Sequence, residues 1–180
     1  RHENTTVHLQ LSDDSFTQVP LGFDFPFNGG IYSSVFVNRN GNLTFGAGDS
    51  DFSDSVHQFL NGPPRIGQLW DDLNPATGGA VYYQVGPGSI TVTFDSVPEF
   101  YDNGANTFSI TLRDDGSFTI EYGALSALDG LVGATEGGGA ADPGESDMSA
   151  DGPFPKAGTT YELFDSDDND LSGLTLEFNQ

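Results

Sequence analysis

A chain of 180 residues suits one domain with its own core, and 15 phenylalanines supply apolar area where aliphatic residues are sparse. Twenty-seven acids against five Lys and Arg give a net charge of -22, which argues against nucleic acid and anionic membrane surfaces as partners and favours cations. Cysteine is absent, so a disulfide scaffold, thiolate zinc sites and cysteine nucleophiles are excluded.

In chain order, the first residue is Arg1 rather than Met, as in a processed secreted chain or an excised module. "TTVHLQLS" then alternates Val7, Leu9 and Leu11. Residues 1–12 read as an N-terminal strand extension. Such a strand pairs within its own domain or is donated to a neighbour's open sheet, and these three residues are the candidates for donation. "VFVNRNGNLTF" holds Asn40-Gly41, which accepts the positive φ of a tight hairpin. "DFSDSVHQFL" is the one helix candidate, short, with Phe52, Val56 and Phe59 at near-helical spacing. "IGQLWDDLNPATGGAVYY" carries the only tryptophan, Trp70, followed by Asp71 and Asp72.

Period-two patterns follow: Ile90, Val92, Phe94; Phe108, Ile110, Leu112; Phe118, Ile120, Tyr122; and Leu174, Leu176, Phe178. Asp115-Gly116 marks a second hairpin. Residues 137–158 are rich in Gly, Ala, Asp and Pro without periodicity and read as one long loop. About a dozen short strands predict an all-β fold over 1–180: an antiparallel two-sheet β-sandwich, jelly-roll-like, with long acidic loops and at most one short helix. No apolar run approaches the roughly 20 residues that span a bilayer.

Chemical constellations are weak. On an extended backbone Asp71 and Asp72 point to opposite faces, so they cannot act together on one atom. A glycosidase needs carboxylates about 5 to 9.5 Å apart across a bond. Glu121 and Glu177 lie between core-facing neighbours and face solvent. Asp71 is expected to accept N–H bonds from the "NPATGG" loop and so anchor it beside Trp70, with a ligand role as the alternative. His2, His8 and His57 are scattered, and neither HExxH nor G-x-S-x-G occurs. The expectation is a protein without catalysis.

Calcium is the candidate ligand, with hydrated acidic loops and no cofactor as the alternative. "DSDDND" sets Asp165, Asp167, Asn169 and Asp170 in one short loop, and alternate oxygens there can converge on a hard cation. The glycine and distal glutamate of an EF-hand are missing. Asp49, Asp51, Asp54 and Asp142, Glu145, Asp147 form two further oxygen-rich stretches. Tyr82, Tyr83, Phe100 and Tyr101 are candidates for stacking on sugar rings, with core packing as the alternative.

The order "P-x-I-x-x-L-W-D-D-L…G-G-x-V-Y-Y" (Pro64 to Tyr83), "ITVTFDSVPEFY" and "NTFSITLRDDGSFTIEYG" resembles the nidogen-like extracellular domain. The upstream "LGFDFPFNGGIYSSVFVNRNGNLTFG" looks like the lead-in of these domains. The closing "GTTYELFDSDDNDLSGLTLEF" is closest to bacterial surface and matrix proteins with a related β module. Phe94 stands where the family shows Trp. The resemblance implies a secreted or surface-displayed, non-catalytic adhesion or matrix module that contacts other extracellular proteins or copies of itself. It defines no catalytic residues. Two alternatives stand beside it: a filament subunit assembled by strand donation, and a carbohydrate-binding module with glycan partners.

Overall fold

The computed structural model describes residues 6–11, 15–51, 53–100, 104–165 and 168–180. Twelve strands form two antiparallel sheets of six. The first sheet runs β1 (Thr6–Leu9), β6 (Ala80–Gly86), β7 (Ser89–Val97), β8 (Asn106–Arg113), β9 (Phe118–Leu125), β12 (Thr175–Phe178). The second runs β11 (Thr160–Phe164), β10 (Gly130–Thr135), β5 (Arg65–Trp70), β4 (Asn42–Thr44), β3 (Gly30–Asn38), β2 (Phe16–Phe27). Their apolar faces enclose one core, so the expected two-sheet sandwich is the fold.

Alternation builds the first sheet. Along β8 every second residue is buried. Ile90 faces Leu112 and Val92 faces Ile110 across the β7–β8 ladder. Phe118 and Phe178 pair across β9 and β12 with stacked rings 4.4 Å apart. Phe25 and Phe27 of the second sheet and Phe45, just after β4, meet in the same interior. Cross-strand aromatic pairs add to the area they bury.

Two neighbouring inner strands of the second sheet, β5 and β10, differ. Every residue of β5 and of β10 is buried. Their inner face meets the main core through Ile66, Leu69 and Val132. Their outer face is covered by the helix α1 (Val56–Asn61) and by part of the 137–158 segment. Phe59, Leu60, Trp70, Leu131 and Tyr161 form a second cluster there, with Ala140 against it. Ser55 caps α1, its hydroxyl accepting from the Gln58 N–H at 3.0 Å. Phe52, the first apolar position expected of this helix, lies outside the described residues.

A bulge reconciles the spacing on β5. Gly67 faces Gly133 and Trp70 faces Leu131, so Gln68 and Leu69 together oppose Val132. The extra residue shifts the alternation. Ile66 and Leu69, three apart, then share the core face, while Arg65 and Trp70 share the outer face with the guanidinium 3.9 Å from the ring centroid.

The Asn40-Gly41 turn is fixed against this bulge. Gly41 has φ of 82°, and a Cβ there would stand 2.0 Å from the Leu69 carbonyl oxygen. Gly29 has φ of 83° but an open surrounding. Gly41→Ala is expected to cost at least about 2 kcal/mol in urea unfolding and Gly29→Ala about half that or less, because only the first adds a backbone clash to strain. Equal costs would contradict this packing.

Candidate functional site

The chain crosses from one sheet to the other between β1 and β2, β5 and β6, β9 and β10, and β11 and β12. Two of these crossings meet at one end of the sandwich. Asp71 and Leu73 follow β5, and a Leu73–Glu99 bridge ties that segment to the stretch after β7. Phe100 N–H donates to the Asp72 carbonyl at 2.8 Å, and Asn74 N–H to the Pro98 carbonyl at 2.8 Å. Asp129 precedes β10, whose pairing with β5 sets Leu131 opposite Trp70.

These connections bring Asp71, Glu99 and Asp129 together, with one carboxylate oxygen of each within 4.8 Å of the others. Exposure grades across the group: Asp71 is buried, Glu99 half-buried and Asp129 exposed. Burial pushes the Asp71 carboxyl up to about 9, aided by a hydrogen bond shared with Glu99 and by the charges of Asp129 and Glu99. Asp54, just before α1, is pushed up to about 6, again chiefly by burial, with the charge of Asp129 adding.

Asparagine side chains take two backbone donors of the loop after β5. Leu73 N–H donates to the Asn40 side-chain oxygen at 3.1 Å, and Ala76 N–H to the Asn74 side-chain oxygen at 3.2 Å. Asp71 takes the N–H of its neighbour Asp72 and otherwise turns to the acid group. Trp70 is fully buried in the outer cluster.

Two of the five Lys and Arg side chains are 1% exposed. Arg65 binds Asp49 at 2.5 Å and Asn42 at 3.3 Å. Arg39 binds Asp72 at 3.3 Å and lies over the Phe100 ring. Asn38 donates to Asn42 and Thr44 beside them. Buried cations of this kind need such partners, and here the partners are acids of the neighbouring loops.

The other oxygen-rich stretches are engaged locally. Asp51 accepts from Ser53 N–H and from the Gln58 side chain. Asp142 accepts from Tyr161 Oη at 2.8 Å, Glu145 from Leu163 N–H at 2.7 Å, and Asp147 from Ser149. In the "DSDDND" loop, Asp165 and Asp170 are exposed, Asn169 accepts from Leu171 N–H, and Asp170 accepts from Ser149 Oγ. Asp167 lies outside the described residues. Among those described, the His and acidic side chains whose ligand atoms converge are Asp71, Glu99 and Asp129. Glu99 and Asp129 carry no local signal in the sequence; each is a single acid in a connection between strands.

Val7 and Leu9 lie on β1, which pairs with β6 of the same chain, Val7 facing Tyr83. Leu11 is buried in the main core. Tyr82 meets the His8 ring at 5.4 Å, and Tyr83 packs against the core. Phe100 is the more exposed aromatic, and Tyr101 lies outside the described residues.

The raised carboxyls set a pH dependence in metal-free protein. Asp71 takes up its proton near pH 4 when unfolded and near 9 when folded, so its stabilising contribution is complete below about 4 and is lost as pH rises towards 9. Asp54 acts likewise between about 4 and 6. In chelator, Asp71→Asn should match the parent near pH 4 and exceed its melting midpoint by at least about 3 °C at pH 9. Parallel curves would contradict the placement of Asp71.

Comparison with known proteins places this geometry in a family context. The family model described as "NIDO related" matches residues 2–127. Alpha-tectorin from mouse is 24% identical over 165 residues, covering 76% of this chain and 8% of that protein. Human alpha-tectorin gives the same identity and coverage. The chain thus spans under a tenth of the length of these curated relatives. No solved structure matches significantly. Asp71 and Glu99 fall inside the family match, and Asp129 lies just beyond it.

Proposed function

Because the chain belongs to the NIDO-related family, we propose that it is a non-catalytic module of an extracellular matrix or cell-surface protein that acts by contact with other proteins. The family match carries the reading: it covers β1 through β9, and so five of the six strands of the first sheet. The outer face of that sheet supports it. Thr91, Thr93, Ser109 and Thr111 are half-buried there, with a Thr91–Thr111 hydroxyl contact at 2.9 Å. A hydroxyl-bearing sheet face suits contact better than turnover. The converging acids support the same view, because Asp71 is buried rather than presented across an open cleft.

Surface plasmon resonance of the immobilised module against itself and against solubilised matrix proteins, together with assays on glycoside, ester and phosphoester substrates, tests this. Saturable protein binding without turnover is expected. Turnover that Glu99→Gln abolishes would overturn it.

A second reading, strand exchange between copies, draws on β1. This strand has four residues, lies at the edge of its sheet and is mostly exposed. The pairing of Val7 with Tyr83 would recur in an exchanged pair. The chain has no cysteine, so Val7→Cys with Tyr83→Cys reports the pairing directly on a non-reducing gel. A cross-linked monomer means self-pairing, and a ladder of covalent oligomers means donation.

A further inference from the structure

We propose that Asp71, Glu99 and Asp129 form a calcium-binding site that ties the ends of the two sheets together. The inference goes beyond the contact role above and does not depend on it. It rests on convergence and on an unmet acceptor. Three carboxylates from three separate segments place oxygens within 4.8 Å of one another. Two oxygens on one calcium ion stand at most about 5 Å apart when each bond is about 2.3–2.6 Å, so this spacing lets the three share a single ion.

Asp71 is 6% exposed and turned into the group; its carboxyl shares a hydrogen bond with Glu99 and takes the Asp72 N–H, yet its buried Oδ2 accepts from no N–H or hydroxyl donor. A buried carboxylate oxygen without a donor is costly and rare in a settled fold. A cation between the three carboxylates satisfies that oxygen and removes the repulsion among them at once.

The backbone holds the group in place without the ion. The Leu73–Glu99 bridge and the bonds Phe100 N–H to Asp72 and Asn74 N–H to Pro98 fix the first two segments. Gly130, next to Asp129, sits so close that a Cβ on it would be 3.6 Å from the Asp71 Cβ. The gradient from buried Asp71 to exposed Asp129 leaves one side open to water. An ion can enter there, and water completes the six to eight oxygens that calcium takes.

The donor set selects the metal. It offers carboxylate oxygens alone, without nitrogen or sulfur, which suits a hard cation and not zinc or copper. Magnesium needs a tighter octahedron at about 2.0–2.1 Å and keeps several waters, so it fits a one-sided, partly buried trio less well. With three protein ligands and an open side, the expected dissociation constant lies at about 10⁻⁴–10⁻³ M, the range of extracellular calcium modules.

The test uses chelator-treated protein at neutral pH, titrated with calcium chloride, magnesium chloride and sodium chloride at matched ionic strength. Calorimetry and melting curves are read together. Expected are one saturable calcium site and a midpoint rise of about 3 °C or more at tenfold excess over the dissociation constant. Magnesium should give less, and sodium only the general screening effect of a highly acidic chain. Terbium in place of calcium should luminesce on tryptophan-selective excitation, since Trp70 directly precedes Asp71.

Asp71→Asn and Asp129→Asn should each weaken calcium binding at least tenfold, while Glu121→Gln and Asp170→Asn leave it unchanged. Asp129 is exposed, so its variant keeps the test decisive if Asp71→Asn fails to fold. Calcium giving no more than sodium, or binding that survives Asp129→Asn and is lost in Asp170→Asn, would overturn the assignment.

Discussion

A carboxylate cannot be withdrawn from water beside two others without a proton or a cation to accompany it. Asp71 sits under that constraint at the end of β5, buried against Glu99 and Asp129. Its position follows from the two-sheet architecture. The β5–β6 crossing leaves the second sheet here, the stretch after β7 arrives from the first, and the β9–β10 crossing returns. The end of the sandwich is therefore held by short backbone bridges that force like charges together. How that charge is balanced decides whether this end of the molecule is tight or loose.

The same scarcity of positive charge shapes the neighbouring surface. Arg39 and Arg65 are buried among asparagines of the β3–β4 hairpin. Arg39 reaches out to Asp72 and Arg65 to Asp49, and each lies against an aromatic ring, Phe100 or Trp70. They pin the acidic loops to the sheet instead of countering the surface charge. In a chain with a net charge of -22, this leaves the outside to be balanced by ions from solution. A surface of this charge depends on the ionic composition around it.

Much of the fold was legible because most strands are half-buried. Ile90, Val92 and Phe94, or Phe108, Ile110 and Leu112, announce one face each, and the structure buries those residues. Asn40-Gly41 was legible as a turn because its φ admits little but glycine. "RIGQLW" and "GLVGAT" were not, because both faces of β5 and β10 are covered and the bulge interrupts what alternation remains. Trp70 and Asp71 drew notice as rare or charged residues in an apolar run. Glu99 and Asp129 could not, since an isolated acid gains meaning only when two distant loops reach the same end. Among the described residues of "DSDDND", Asp170 and Asn169 turn their oxygens to Ser149 and Leu171 nearby.

The most direct measurement is a crystal structure of the protein grown in calcium, with anomalous scattering to locate the ion. The account predicts one ion bound by Asp71, Glu99 and Asp129 at about 2.3–2.6 Å, with water on the Asp129 side and the two sheets closed around it. An ion-free group in which Asp71 and Glu99 share a proton, or calcium held elsewhere on the chain, would contradict it.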